Sequence, residues 1–286
     1  MFLNDNETAI DLLQYEPIAK AVVALIDNTK SAPITIGVHG DWGAGKSSVL
    51  MMVEGAMKGR DRILCLRFNG WTFQGFEDAK VAMLQAIVAE IRDARPTNTK
   101  LQAKVVTLFK RINWLKVAKK AAGIGFNVAT GLPSIDQLSG MANVAKAILS
   151  KGAEHVGTDE AKEIVLSADK YLKAESESAA NVPTEIQRFR QDFAELLAEA
   201  KIDQLVILVD DLDRCLPTTI IETLEAIRLF LFVPSSAFVI AVDEIMVEYA
   251  VRQHFPDLPS TVSASGYARN YLEKLIQVPM RVPALG

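Results

Sequence analysis

The sequence predicts an α/β fold in three layers, with helices on both faces of a mainly parallel sheet of about five strands. Short apolar runs rich in β-branched residues alternate with longer segments whose apolar residues recur every three or four positions. One of the apolar runs leads into a glycine-rich motif, and another ends in a cluster of aspartates. Strands that alternate with helices form parallel sheets, because each crossover helix returns the chain to the same edge.

The first strand, predicted over residues 34–38, leads into a loop that matches the phosphate-binding pattern GxxxxGK[ST]. A helix is predicted to open at Ser48, so the glycines occupy the turn and their backbone N–H groups can surround phosphate oxygens. Lys46 would then contact the β- and γ-phosphates of a nucleotide, and the Ser47 hydroxyl would bind Mg²⁺. The predicted nucleotide-binding residues are Gly40, Asp41, Trp42, Gly43, Ala44, Gly45, Lys46, Ser47 and Ser48.

The second strand is predicted over residues 63–68 and the next helix over 76–94. At the end of this strand and just after it lie an asparagine and several aromatic residues, which either contact one edge of the nucleotide or fill the seam between helix and sheet. Aromatic residues at strand ends usually serve packing, so the polar residue is the better functional candidate. The residues concerned are Phe68, Asn69, Trp71 and Phe73.

A long insertion, residues 95–184, is predicted to be helical. Its segment 101–120 has the pattern of a basic amphipathic helix, and residues 94–135 contain no acidic side chain. The stretch 121–133 is too short and too polar to cross a bilayer. Two interpretations remain open. The basic face packs against the acidic stretch 154–177 as a helical subdomain, or it contacts an acidic partner, a membrane surface or nucleic acid.

The third strand, predicted over residues 205–209, ends in Asp210 and Asp211. A buried parallel strand delivers such carboxylates to the same edge of the sheet as the glycine-rich loop. Asp210 is therefore expected to bind the same Mg²⁺ as Ser47, and Asp211 to act as the general base that activates a water molecule. The helix that follows is predicted over residues 218–232.

A fourth strand, residues 238–242, ends in Asp243, and a short fifth strand is predicted at 276–278. Asp243 stands where a residue that senses the γ-phosphate or the attacking water would be expected. Alternatively, it caps the helix that begins near Glu244. We therefore count Lys46, Asp211 and Asp243 as the candidate catalytic residues.

The composition is that of a soluble globular protein, and its net charge of −4 gives no global indication of a nucleic-acid-coating role, although local basic patches remain open. Cys65 and Cys215 are predicted to be reduced thiols, and no Cys/His spacing indicates zinc. His39 is expected to be structural, and His155 and His254 exposed. Without a signal peptide or an apolar run of the ~18 residues that span a bilayer, a cytoplasmic protein is predicted, peripheral at a membrane at most.

Several motifs taken together resemble the KAP family of P-loop NTPases. The glycine-rich loop has the Trp-Gly variant at Trp42, and residues 67–71 are similar to the family's Phe-Asn-x-Trp signature. Residues 210–214, which read Asp-Asp-Leu-Asp-Arg, and 271–279 also look like family motifs, as does the helical segment within 11–26. The resemblance excludes the middle of the chain, where many KAP proteins carry transmembrane helices.

The resemblance implies a Mg²⁺-dependent ATPase with an added strand between the glycine-loop strand and the aspartate strand. Such an enzyme would act as a conformational switch or motor, and bacterial members are linked to phage defence. ATP rather than GTP is implied by the family, in agreement with the lack of a guanine-reading NKxD sequence. The predicted domain organisation is 1–94 and 185–286 for the two parts of the NTPase core and 95–184 for the insertion.

Fast turnover could require an arginine from a second subunit, for which Arg214, Arg252 and Arg269 are candidates. We therefore expect self-association or a partner that completes the site. The chain reaches Gly286 soon after the last predicted strand, which fits a fragment or a partner that supplies a lid. Two other functions stay open, an ATP-gated scaffold with negligible hydrolysis and a small-molecule kinase. Asp211 fits the activation of water better than the phosphorylation of an acceptor, so the kinase is the weaker alternative.

Overall fold

The computed structural model describes residues 14–73, 79–95, 98–122, 182–230, 232–254 and 264–283. Within those ranges, no helix combines the length and the apolar character needed to cross a bilayer. The strands are β1 Ile34–His39, β2 Ile63–Asn69, β3 Gln204–Asp210, β4 Ser236–Val242 and β5 Val278–Arg281. The helices are α1 Glu16–Asn28, α2 Lys46–Met57, α3 Ala79–Asp93, α4 Thr99–Ala122, α5 Val182–Glu199, α6 Pro217–Phe230, α7 Glu244–His254 and α8 Ala264–Leu275.

The described strands form a single parallel sheet in the order β2-β3-β4-β1-β5. Strand β4 therefore lies between β1, which leads into the glycine-rich loop, and β3, which ends at the aspartates. All five strands point their carboxyl ends to one edge, so residues far apart in sequence meet there. The predicted fold class is confirmed, as is the added strand between the two motif strands.

Helices cover both faces of this sheet. Strands β1, β3 and β4 are buried at every position, as expected for central parallel strands with two covered faces. Ala237 and Val239 of β4 pack in a cluster with α1 and α2. The alternate residue Phe238 points to the other face, where its ring lies 5.5 Å from that of Phe230 on α6.

Proline in the first turn helps to fix where several helices begin. The opening turns of α1, α5 and α6 contain Pro17, Pro183 and Pro217. Proline lacks a backbone N–H, and this costs nothing there because an N–H in the first turn would have no intrahelical acceptor. The predicted bounds of the helices differ from the observed ones by a few residues only.

The described residues belong to two compact units. Residues up to Phe109 and from Arg190 onward form the first, and Lys110–Phe189 the second. Helix α4 confirms the helix predicted over 101–120, and in the first unit its apolar residues Leu101, Val105 and Leu108 are buried. Lys104 of the same helix pairs at 2.6 Å with Glu195 of α5.

The remaining expectations about the insertion stay predictions. Its acidic stretch and the glycine-containing segment from residue 123 onward lie outside the described residues, and so does His155. The boundaries 95 and 184 and the choice between a subdomain and a contact surface are therefore untested.

The last strand begins later than predicted. We expected it at residues 276–278, but the N–H of Ile276 donates to the carbonyl oxygen of Leu272 at 2.7 Å and so completes the end of α8. Pairing with β1 starts one residue on, where the N–H of Gln277 donates to the oxygen of Thr35 at 2.9 Å. The apolar run thus spans a helix end and the strand that follows it.

Gly37 of β1 should resist enlargement. A Cβ atom there would lie 2.5 Å from Nε2 of His39 and 2.8 Å from Cδ1 of Ile276. Because overpacking in a core typically costs about 1–3 kcal/mol, we expect Gly37→Ala to lower the free energy of unfolding by that amount in a urea titration.

The matched control is Gly55→Ala in α2, where a Cβ atom meets nothing within 4 Å. Alanine in a helix gains about 0.5–1 kcal/mol over glycine, so this variant should be slightly more stable than the wild type. Equal stability of the two variants would contradict the packing of His39 over Gly37.

Candidate functional site

The glycine-rich loop connects β1 to α2 in a conformation that depends on glycine. Gly43 and Gly45 have φ angles of 76° and 84°, in the left-handed region that other residues avoid. Gly45 stands immediately before α2, so the first N–H groups of the helix and those of the loop are available to an anion. Ser48 lies in the first turn of α2.

The side chain of Lys46 is buried beneath this loop and bonds back to its first residues. Its residue is only 6% exposed, and its ammonium group donates to the carbonyl oxygens of Gly40 and Asp41, both at 2.9 Å. The same nitrogen lies 3.3 Å from a carboxylate oxygen of Asp213. Two of the three N–H donors of the ammonium group therefore have carbonyl acceptors, and its charge is paired with that of Asp213. A phosphate that approached Lys46 would have to replace at least one of these partners.

Ser47 and Asp210, the two predicted Mg²⁺ ligands, are in direct contact. The Ser47 hydroxyl donates to Oδ1 of Asp210 at 2.9 Å, across 163 positions of sequence. Asp210 is 2% exposed, and its second oxygen, Oδ2, accepts a hydrogen bond from Arg67 of β2 at 2.6 Å.

A hydroxyl and a carboxylate side by side are ligands that suit a hard divalent cation. Within the described part of the chain, no group of three or more His, Cys, Asp or Glu residues is arranged to hold a metal ion. Mg²⁺ usually keeps several waters and phosphate oxygens, so a pair of protein ligands fits its ordinary coordination.

Asp211 is held by two neighbours at the end of β3. The side-chain amide of Asn69 donates to its Oδ2 at 2.7 Å, and Nε of Arg214 lies 3.1 Å from its Oδ1. Its φ angle is 56°, a left-handed conformation that aspartate tolerates better than most residues. Burial, and after it the charge of Asp210, raises the pKa of Asp211, while Arg214 and Asn69 act in the opposite direction.

The sequence reasoning missed Arg67 and Asp213 as site residues. Together with the predicted residues they form three ion pairs. Asp210 pairs with Arg67, Asp211 with Arg214 and Asp213 with Lys46. The sequence Asp-Asp-Leu-Asp-Arg does contain a third carboxylate, that of Asp213, and an arginine next to it. No comparable signal marks Arg67, which the register of β2 and β3 places opposite Leu208, two residues before Asp210, so that its guanidinium reaches the Asp210 carboxylate.

The residues at the end of β2 and just after it make different kinds of contact. Phe68 is buried, which fits packing, whereas Asn69 contacts Asp211 and also accepts the backbone N–H of Trp71 at 3.0 Å. Trp71 is 55% exposed, and the side chain of Phe73 lies outside the described residues.

Trp42, in the glycine-rich loop, is 62% exposed, and the guanidinium of Arg214 lies 5.8 Å from its ring centroid. Arg214, a candidate finger for a second subunit, thus contacts Trp42 and Asp211 of its own chain.

The other two candidate fingers lie away from the three aspartates. Arg252 pairs with Glu248, one turn earlier on the exposed side of α7. Arg269 of α8 lines a cavity of about 380 Å³, which is also lined by His39 and Glu244.

Asp243 caps α7. Its Oδ1 accepts the backbone N–H groups of Ile245 at 3.0 Å and of Met246 at 3.4 Å. Capping was one of the two alternatives for this residue. Asp243 also lines a second cavity of about 410 Å³, together with Gly40 and Asp41 of the glycine-rich loop, so its sensing role stays a prediction.

His39 is buried, and its Nδ1 lies 2.8 Å from the carboxylate of Glu244. Burial lowers the pKa of His39, against the opposing effect of Glu244. His254, expected to be exposed, is half-buried at the end of α7.

Both cysteines are free thiols, and Sγ of Cys215 donates to the carbonyl oxygen of Asp211 at 3.2 Å. Burial, followed by the charge of Asp211, raises the pKa of Cys215 to about 12. This thiol therefore supports the turn that carries the acidic cluster.

The chain matches the model of the KAP family P-loop domain over residues 15–286. It is also similar to an uncharacterized protein of Methanocaldococcus jannaschii, with 27% identity over 176 residues that cover 60% of this chain and 86% of the relative. The family match includes the glycine-rich loop, the acidic cluster and all five strands. It supports nucleotide binding at the loop just described.

Replacing Asp211 by asparagine should stabilise the fold near neutral pH. The raised pKa means that the folded state binds a proton more readily than the unfolded state, so the ionised carboxylate lowers stability above that pKa. We expect Asp211→Asn to have the higher urea midpoint at about pH 7.5 and the difference to shrink as the pH falls towards about 4.5.

Asp203→Asn is the matched control, because Asp203 is half-exposed and pairs with Arg62 at the opposite edge of the sheet. This variant should show no such gain. A lower midpoint for Asp211→Asn than for the wild type at both pH values would contradict the unfavourable burial of the Asp211 charge.

Proposed function

The chain belongs to the KAP family of P-loop domains, and from this premise we propose that it binds Mg²⁺·ATP and hydrolyses it as a conformational switch or motor. The observation that carries the proposal is the contact between Ser47 and Asp210, which joins the glycine-rich loop to the acidic end of β3. A phosphate-binding loop and a metal-binding carboxylate at one sheet edge are the two parts that phosphoryl transfer requires.

Lys46 and the loop N–H groups would bind the phosphates. The β- and γ-phosphate oxygens would replace at least one of the three present partners of the Lys46 ammonium, which are Asp213 and the carbonyl oxygens of Gly40 and Asp41. The exchange is favourable because phosphate carries more negative charge than the groups it displaces. If Asp213 is the partner replaced, it loses its ion pair, and nucleotide binding then changes the charge balance of the whole acidic cluster.

Ser47 and Asp210 would hold the metal ion. Bound Mg²⁺ would neutralise charge on the phosphate oxygens and orient them for attack. If Asp210 bound the metal ion through Oδ1, its hydrogen bond from Ser47 would be lost, while Oδ2 would still have Arg67 as its partner. Arg67 thereby fixes the plane of this carboxylate.

Asp211 would act as the general base. It takes a proton from water as the water oxygen bonds to the γ-phosphorus and the bond to the bridging oxygen breaks, which gives ADP and inorganic phosphate. The raised pKa of Asp211 makes its carboxylate a better proton acceptor than an ordinary aspartate. Asn69 and Arg214 hold this carboxylate in position, and in doing so they also limit its basicity.

Hydrolysis should depend on Asp211. We expect Asp211→Asn to lower the steady-state turnover of Mg²⁺·ATP by about 10²–10⁴-fold, the range that a positioned general base contributes, while ATP still binds. Asp203→Asn should retain full turnover. A specific activity that rises with protein concentration would indicate an arginine supplied by a second subunit, and undiminished turnover in Asp211→Asn would exclude Asp211 as the base.

Nucleotide binding should depend on Lys46. Loss of a charge-assisted contact worth about 1.5–3 kcal/mol predicts that Lys46→Ala raises the dissociation constant of Mg²⁺·ATP by about tenfold or more in calorimetry. The matched control is Lys80→Ala, which removes the 2.8 Å ion pair with Glu225, where both side chains are similarly buried. Equal weakening by both variants would mean a general loss of fold rather than a role in phosphate binding.

An ATP-gated scaffold with negligible hydrolysis is the second candidate function. The exposure of Trp42, Trp71 and Leu216, between 54% and 62%, supports it. These residues lie in the glycine-rich loop and beside the acidic cluster, where nucleotide binding would alter the surface offered to a partner. Tight binding of ATP without measurable turnover would favour this role.

Three further expectations extend the proposal. They are a partner or second subunit that supplies an arginine, a cytoplasmic location and a role in bacterial phage defence, the last of which rests on the family resemblance alone. If the defence role holds, Lys46→Ala should abolish protection in a plaque assay.

A further inference from the structure

Most residues that line the cavity of about 410 Å³ next to the glycine-rich loop have no role in the phosphate chemistry described above. Its lining includes Gly40 and Asp41 at the start of the loop, Glu244 and Ile245 at the start of α7, and Arg281 at the end of β5. Its volume lies in the range of small-molecule sites, which begin at about 300 Å³. The cavity is therefore large enough to hold a nucleobase.

The sheet order places this cavity on the side where a nucleoside would extend. The acidic cluster follows β3, on one side of β1 beyond β4, whereas β5 pairs with β1 on the other side. In the proposed function the γ-phosphate lies at the acidic cluster, so the opposite end of the nucleotide points away from it. The first loop residues and the end of β5 lie in that direction.

The lining offers the chemistry that an adenine ring requires. Ile245 is 70% exposed, and together with Val282 and Pro283 it gives the cavity apolar walls against which a planar ring can pack. Glu244 supplies an acceptor for an amino group, and Arg281 a donor and a planar cation that stacks on aromatic rings. Few polar groups among apolar walls are typical of a site that orients its ligand.

Glu244 is fixed by its neighbours. Its Oε1 lies 2.8 Å from Nδ1 of the buried His39 and 3.4 Å from the guanidinium of Arg281. His39 ends β1, directly before the loop, so the carboxylate is anchored to the strand that carries the phosphate site. A base bound beside Glu244 would thus be held at a constant distance from the loop.

We propose that this cavity is the adenine subsite of the nucleotide-binding site, with Glu244 accepting a hydrogen bond from the 6-amino group and Arg281 packing on the ring. The inference rests on the proposed binding of ATP and adds to it the residues that select the base. Asp243, which lines the same cavity, caps α7 and so keeps Glu244 at the start of that helix.

The test compares ligands that share the phosphates but differ in the base, with calorimetry on the full chain in the presence of Mg²⁺. The ligands are ATP, inosine triphosphate, which has oxygen in place of the 6-amino group, and inorganic tripolyphosphate. Wild-type protein should bind ATP more tightly than both of the others. We expect Arg281→Ala to weaken ATP by about tenfold, as loss of a stacked cation would, and to leave tripolyphosphate unchanged.

Glu244→Gln should reduce the preference for ATP over inosine triphosphate by about tenfold, because an amide is a weaker acceptor than a carboxylate. Arg281 has a side chain 77% exposed, so its removal should leave the fold intact even if Glu244→Gln disturbs His39. The matched controls are Arg92→Ala, an exposed arginine on α3, and Glu273→Gln, which lines the neighbouring cavity, and neither should change the ligand ratios.

The failure of this inference can be told from that of the proposed function. If wild-type protein binds tripolyphosphate and ATP equally, or if Arg281→Ala and Glu244→Gln leave all ligand ratios unchanged, the adenine subsite is overturned while the phosphate site stands. If wild-type protein binds neither tripolyphosphate nor ATP, the proposed function itself fails.

Discussion

The pairing of three carboxylates at the end of β3 is the constraint on which the site depends. Asp210, Asp211 and Asp213 fall within four residues of sequence, and their mutual repulsion would be large if they were left unpaired away from water. Each has a cationic partner from a different part of the fold. Arg67 comes from the neighbouring strand β2, Lys46 from the start of α2 and Arg214 from the turn itself. The acidic cluster thus requires the surrounding elements to be correctly assembled.

These pairs also set how the site can respond to a ligand. Lys46 donates to two carbonyl oxygens and pairs with Asp213, and the Ser47 hydroxyl already bonds Asp210. In the proposed function, the phosphates and Mg²⁺ would arrive together, so the cation would offset part of the phosphate charge as these contacts are replaced. A ligand of one sign would have to break pairs that it cannot restore. In the proposed function, this requirement favours a metal-bound phosphate compound over a simple anion.

Strand β1 divides the functional edge of the sheet into two parts. On the side of β4 and β3 lie the acidic cluster and the residues proposed for metal binding and catalysis. On the side of β5 lies the cavity proposed for the base, where His39 links the end of β1 to Glu244 and, through it, to Arg281. The glycine-rich loop stands between them, so one rigid strand positions both ends of the proposed ligand.

The sequence determined the sheet of alternating strands and helices, the glycine-rich loop and the aspartates at the end of β3. Those features are local, since glycine permits the backbone of Gly43 and Gly45 and a continuous apolar run predicts a buried strand. What only the tertiary structure decided is which groups meet. The contacts of Asp210 with Arg67 and of His39 with Glu244 depend on strand register and on helix placement, and these are set by packing across the whole core.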